Sequence, residues 1–142
     1  MTEVDEFLDA VVPRLVEADT ALHNGDAAPR RALWSHEDPV TLFGAAITTH
    51  GWPAVSTVFG QLADTFSDCT AYDCEVLAAG TSGDLGYLVA IERVTLSMEG
   101  GPPRSIALRA TTVFRREDGA WKAVHRHGDP GPSDTYTWIV EK

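Results

Sequence analysis

The order of apolar and polar positions divides the chain in two. From Thr2 to His23, apolar side chains fall at Val4, Phe7, Leu8, Val11, Leu15, Ala18 and Leu22, the spacing of a helix with one apolar face. Thr2, followed by Glu3 and Asp5, suits an N-terminal cap and first turn. Pro13 interrupts the pattern. It has no amide to bond the Asp9 carbonyl, so a kink or break is expected there. Asn24-Gly25 ends the helix, since both residues tolerate left-handed backbone. Asp26 can cap a short second helix through Leu33, with Pro29 in its first turn. Trp34 to Pro39 reads as turns, Val40 to Phe43 as a short strand, and Gly44 to Gly51 as a loop. Pro53 opens a third helix with Val55, Val58, Phe59, Leu62 and Phe66 on one side.

Beyond that helix the period changes to two. Residues 68–79, 85–98, 104–116 and 120–128 are strand candidates separated by 80–84, 99–103 and Asp118-Gly119. Helices followed by an antiparallel meander predict an α+β fold. In 85–98 both alternating sets are apolar: Tyr87, Val89 and Ile91 on one face, Leu88, Ala90, Val94 and Leu96 on the other. A sheet apolar on both faces must be covered on both, so a homodimer packed sheet to sheet is expected. After Pro130, Tyr136 to Val140 offers another strand or a cover for a partner.

Length and charge narrow the classes. At 142 residues the size prior favours one domain, 1–142. A formal net charge of −10 argues against a nucleic-acid partner, which needs clustered cations. No apolar run approaches the roughly 20 residues of a membrane span, and the acidic N-terminus is unlike a secretory leader. A cytoplasmic protein with no membrane partner is expected. Cys69 and Cys74 lie five apart on one predicted strand and face opposite ways, which suits buried free thiols. There is no Ser-His-Asp order, phosphate loop or dinucleotide fingerprint, so no cofactor is expected.

The candidate chemistry sits in the strands. Arg93 lies amid Ala90, Ile91, Val94 and Leu96, where a guanidinium is costly unless paired; it is either a clamp for an anionic oxygen or half of an internal salt bridge. Glu92 then faces the other way, where Arg109 can meet it across the strands. His125-Arg126-His127 depends on the hairpin turn. A two-residue Asp118-Gly119 loop sets Thr112 opposite His125, and the histidines share its face. A three-residue Glu117-Asp118-Gly119 loop puts Arg126 on that face instead. The Glu-Asp-Gly order favours the second, and a bulge late in the strand would alter the outcome for His127. The two histidines suit a metal, but a third ligand from His36, His50 or Asp129 has no supporting motif, and no metal is expected. His127 with Asp129 is a candidate acid–base pair.

Three stretches resemble a known family: Leu33-Trp-Ser-His-Glu-Asp-Pro-Val-Thr-Leu-Phe-Gly44, Ile91-Glu-Arg-Val-Thr95, and Thr112-Val-Phe-Arg-Arg-Glu-Asp-Gly-Ala-Trp-Lys-Ala-Val-His-Arg-His127. The whole resembles the nuclear transport factor 2-like superfamily, nearest its SnoaL-like, ketosteroid-isomerase-related group. The last two stretches also resemble the association domain of calmodulin-dependent protein kinase. The resemblance implies a cone, with a strongly bent antiparallel sheet, three helices over its concave face, an internal pocket, and dimers through the convex face. Arg93 matches an arginine of the kinase domain's pocket, which would point it inward with Ile91 and Thr95; two others fall at Thr112 and Gly128. The catalytic aspartate of ketosteroid isomerase falls at Phe43, and its oxyanion tyrosine has no counterpart in residues 2–23. Family layout makes Trp34, Phe43, Trp52 and Tyr72 pocket or mouth residues, and Asp38 the nearest free carboxylate to the mouth.

The expectation is therefore a pocket protein for a small, partly apolar carbonyl or carboxylate compound. Arg93, Arg126, Thr112 and the four aromatics would bind it. Any reaction would be cofactor-independent isomerisation, cyclisation or dehydration, with His127 or Asp38 moving protons. The alternative is a non-catalytic ligand-binding or oligomerisation module.

Overall fold

Thr2 opens the first helix as its sequence suggests, its hydroxyl accepting the Asp5 amide while the Asp5 carboxylate accepts the Thr2 amide. The structure, a computed structural model, describes residues 1–130. Helix α1 (Glu3–Leu22) runs unbroken through Pro13. The expected break is absent because Asp9 and Pro13 both lie on the exposed side, where water can take the orphaned carbonyl. Helices α2 (Ala28–Leu33) and α3 (Trp52–Thr65) follow the predicted pattern. No helix among the described residues is long and apolar enough to cross a membrane.

Among the described residues six strands form one sheet: β1 (Thr41–Gly44), β2 (Ile47–His50), β3 (Phe66–Ser82), β4 (Leu85–Met98), β5 (Arg104–Glu117) and β6 (Ala120–Pro130). Their order is β2-β1-β6-β5-β4-β3. The stretch expected as a loop after Gly44 is a hairpin, with Gly44 opposite Ile47 and the β-branched run Ile47-Thr48-Thr49 as its second strand. Strand β1 joins the meander by pairing parallel to β6, Thr41 beside His125 and Phe43 beside His127. The sheet is therefore mostly, not wholly, antiparallel. The tail strand suggested for Tyr136 to Val140 lies outside the described residues.

The strongly bent cone is corrected to an open sheet. Strands curve where bulges interrupt the ladder. Here β4 and β5 pair without a shift from Leu85–Arg115 to Leu96–Arg104. Among the described residues, shifts occur only between Ser67 and Ala71, between Val76 and Ala78, and at Val113/Phe114. The three helices cover one face. Phe7 meets Phe114 and Trp121 edge-on at 5.5 and 4.9 Å, and Trp34 meets Phe59 at 5.1 Å. Val11, Leu15, Leu22 and Val55 pack into the same core with Leu42, Leu88 and Ala123 of the sheet.

The turn of the last hairpin corrects a step in the sequence argument. Glu117 pairs with Ala120, so the loop has two residues, Asp118 and Gly119, both with positive φ (50° and 79°). That turn alone would put the histidines on Thr112's face. A bulge follows, however: Phe114 pairs with Ala123 and Val113 with His125, leaving Val124 extra. Thr112 thus pairs with Arg126, and the arginine faces inward after all.

The β1–β6 contact admits no side chain at Gly44, where a Cβ would overlap the Gly128 carbonyl oxygen. Gly44→Ala is expected to destabilise the fold by about 1–3 kcal/mol, read as a lowered urea midpoint. An unchanged midpoint would show that the two strands part freely.

Candidate functional site

Asp19 and His23 stand one turn apart on the apolar stripe of α1, among Ala18 and Leu22, and both are buried. The partners of Asp19 come from two other elements. Arg30 of α2 donates to Asp19 Oδ1 as a buried ion pair, and the Tyr72 hydroxyl of β3 donates to Asp19 Oδ2 at 2.6 Å. Beside them Arg126 of β6 grips Glu92 of β4 in a two-pronged pair, Nη1 to Oε2 at 2.9 Å and Nη2 to Oε1 at 2.6 Å. Paired guanidinium and carboxylate groups satisfy the requirement that buried charges be neutralised and hydrogen-bonded.

The network sets the charge states. Burial works against the Asp19 carboxylate, but the Arg30 and Arg126 charges and the bonds from Tyr72 and Arg30 hold its pKa below the ordinary value. Burial also opposes the Arg126 charge, and Glu92, with Asp19 behind it, raises the pKa of that guanidinium. Tyr72 is pushed up by burial and by the neighbouring Asp19 and Glu92 charges, so its hydroxyl stays a proton donor. For His23 the dominant effect is burial, which lowers its pKa; the Asp19 carbonyl and charge oppose this only in part. The imidazole is held neutral near pH 7.

Which nitrogen carries the proton follows from its partner. Nδ1 lies 2.6 Å from the Asp19 carbonyl oxygen, and a carbonyl only accepts, so Nδ1–H is the donor. Nε2 has no hydrogen-bond partner among the described residues and keeps its lone pair. The ring is steadied by stacking on Phe66 at 4.9 Å.

His23, Arg30 and Arg126 line one end of a cavity of about 330 Å³. Its walls are apolar, with Leu42, Ile47, Leu62, Phe66, Ile106 and Leu108 prominent, and Arg104 stands on its rim. Among the described residues no carboxylate lines it; Asp19 and Glu92 stand behind the arginines. The arrangement offers a neutral base, guanidinium donors and a mostly apolar volume at the small end of ligand sites.

Of the expected ligand contacts, Arg126 lines this cavity, and Phe43 only borders it, its ring meeting His125 and His127 edge-on on the other face. Arg93 is on the other face, its side chain 53% exposed and bonded to Glu75 at 2.9 Å, whereas Glu92 is 2% exposed. Strand alternation forces that choice: once Arg126 points inward, Glu92 is the neighbour that neutralises it, and Arg93 must point out. Arg109, opposite Ile91 and Asp129, does not reach Glu92. Thr112 is buried beside Arg126, Trp34 is core, and Tyr72 is committed to Asp19. Trp52 stacks on His36 at 4.0 Å away from the cavity. Asp38 is exposed and accepts the Trp52 amide at the start of α3. His127 does pair with Asp129, Nε2 to Oδ2 at 2.8 Å, but on the exposed face. Cys74 is half-buried, its thiol pushed up to about 11 by burial and the Glu92 charge. Among the described residues no three His, Cys, Asp or Glu side chains are grouped to hold a metal.

His23, Arg30, Glu92 and Arg104 escaped the sequence argument as site residues. The available signal was Asp19 and His23, two polar residues four apart on an otherwise apolar helical stripe.

Residues 13–129 match the model of the SnoaL-like domain. The chain belongs to that family. Solved proteins described as NTF2-like share its fold. No curated protein matches the sequence. Among solved structures, a ketosteroid isomerase-like protein from Erwinia carotovora atroseptica superposes with a TM-score of 0.72 at 19% identity, over 91% of this chain and 99% of that one. A protein of the NTF2-like family from Streptomyces avermitilis, provisionally described as a dehydratase, gives 0.71 at 18% over the same shares. A provisionally described calcium/calmodulin-dependent kinase II association domain from Thiobacillus denitrificans gives 0.59 at 20%, over 87% and 91%. At these identities the likeness is one of fold.

The charge state of His23 makes stability depend on pH. The unfolded chain protonates this histidine near its ordinary value of 6.5 while the folded one resists, so the native state binds fewer protons and stability rises with pH. The contribution is complete above about 6.5 and declines as pH falls toward the native pKa. Urea unfolding at pH about 8 and about 5, either side of the ordinary value, should show the stability gap between wild type and His23→Gln shrinking at the lower pH. Parallel changes in the two proteins would contradict a suppressed pKa.

Proposed function

We propose that this SnoaL-like protein is a cofactor-independent proton-transfer enzyme acting on a small, partly apolar carbonyl compound. The observation that carries this reading is the neutral His23, whose ring N–H is tied to the Asp19 carbonyl and whose Nε2 is unpartnered among the described residues, at the cavity end held by two arginines. His23 Nε2 would take a proton from the carbon beside the carbonyl. The carbonyl oxygen, gaining negative charge, would be held by Arg30 or Arg126, each of which has N–H donors beyond those given to Asp19 and Glu92. The imidazolium would return its proton to another carbon in an isomerisation, or to a departing β-hydroxyl in a dehydration. The names of the ketosteroid isomerase-like and dehydratase neighbours fall in this chemistry.

A binding-only module is the second reading, favoured by the absence of a carboxylate in the described cavity wall. Proton exchange separates the two. Cyclic and linear ketones that bind, as shown by ligand-observed NMR, are incubated with the protein in deuterium oxide. The enzyme reading expects deuterium at the carbon beside the carbonyl, and a loss of about 100-fold or more in His23→Gln. Bound ketones that never exchange would leave the binding module as the better account.

We further propose a homodimer through the uncovered sheet face. Leu77, Leu85, Tyr87 and Phe43, all exposed large apolar residues, lie there. The same face carries Arg93 and Arg109 together with Asp73, Glu75 and Asp129, so a two-fold copy can answer each charge with its opposite. Light scattering at micromolar concentration should give the dimer mass, and Tyr87→Glu should give the monomer mass. A monomeric wild type would refute the interface.

A further inference from the structure

The cavity is polar at two depths and apolar between them. Its inner end holds His23, Arg30 and Arg126, all buried; its rim holds Arg104, which is exposed. The inner arginines are committed. Arg30 is bonded to Asp19, and Arg126 is clamped on Glu92. Arg104 is different. Its only polar contact among the described residues is Nη1 to the Met98 sulfur at 3.9 Å, and a thioether is a weak acceptor.

Strand register explains why this cation stands over the opening. Arg104 pairs with Leu96, which is buried on the covered face, so Arg104 begins β5 on that same face. Ile106 and Leu108 follow on β5 and line the wall below it. The apolar band that they form with Leu42, Ile47, Leu62 and Phe66 separates the two polar ends.

Resting on the cavity reading above, we propose that Arg104 is a specificity-determining residue and that the substrate is a keto acid: a carbonyl at the inner end, an apolar body, and a carboxylate at the rim. The two buried ion pairs cancel, so the inner end has spare N–H donors for a carbonyl oxygen but no net positive charge to offset the burial of a carboxylate. Arg104 supplies that charge at the rim. A partly exposed cation also binds a carboxylate without full desolvation of either group, which makes its preference dependent on ionic strength.

The test uses keto acids of graded length, carbonyl and carboxylate at opposite ends, each beside its neutral methyl ester. Dissociation constants are measured by ligand-observed NMR on the intact protein. Wild type should bind the best-fitting acid about five- to tenfold more tightly than its ester, a charge-assisted contact at a wet rim. Added salt should narrow the ratio. Arg104→Gln should abolish it, Arg104→Glu should reverse it, and Arg104→Lys should keep part of it. Ester binding should be unaltered by Arg104→Gln, which a general loss of structure would not spare. An acid-to-ester ratio unchanged in Arg104→Gln overturns the assignment. So does equal binding of acid and ester to wild type; if His23→Gln then still blocks exchange of the ester, only the Arg104 inference has failed. Compounds that all fail to enter the cavity would refute the cavity reading and this inference with it.

Discussion

Two carboxylates and two guanidiniums share the interior between the helices and the sheet, and the rest of the molecule is arranged around keeping them satisfied. Asp19 of α1 is held by Arg30 of α2 and the Tyr72 hydroxyl of β3, and Glu92 of β4 pairs with Arg126 of β6 beside them, the two groups acting on each other through charge. Removing any one partner would strand a charge in low dielectric, a far larger penalty than losing a surface ion pair. Every carboxylate, guanidinium and hydroxyl of the two groups has a partner. Such a network ties five elements at one point and fixes the inner end of the cavity before any ligand arrives.

That rigidity has a chemical consequence for His23. The tautomer is chosen by the helix backbone, and the charges beside it act on the second protonation. Here the Asp19 carbonyl takes the Nδ1 proton, burial suppresses a second proton, and the nearby Arg30 and Arg126 charges push the same way. The base is therefore made by the helix end that carries it: His23 is the C-cap of α1, and its own backbone amide bonds the same carbonyl. The opposite sheet face follows different physics. There, Arg93 with Glu75, and His127 with Asp129, are solvent-accessible pairs that contribute little to folding.

Much of the architecture was legible because it depends on local pattern. The amphipathic stripe of α1, the Pro53 opening of α3 and the two-residue period of β4 and β5 each carry their own signal. The missed features are non-local or solvent-decided. Pro13 leaves α1 intact only because the Asp9 side faces water, and β1 finds β6 through a parallel pairing that neither strand announces. Arg126 was assigned to the correct face for the wrong reason. The Glu-Asp-Gly order favours a three-residue loop, while the fold uses a two-residue loop and an extra residue at Val124. The same one-residue sensitivity reversed Glu92 and Arg93, since a strand offers alternate residues to opposite faces and nothing local says which charge has a partner. His23 was hidden because a histidine at a helix end reads as a cap.

The central claim is that His23 sits neutral at the inner end of the cavity with its proton on Nδ1. Nitrogen-15 NMR of the imidazole reports both the tautomer and the titration directly. The account expects the Nδ1–H form as the dominant species at neutral pH, with a midpoint below the ordinary 6.5. A proton on Nε2, or a midpoint at or above 6.5, would contradict it.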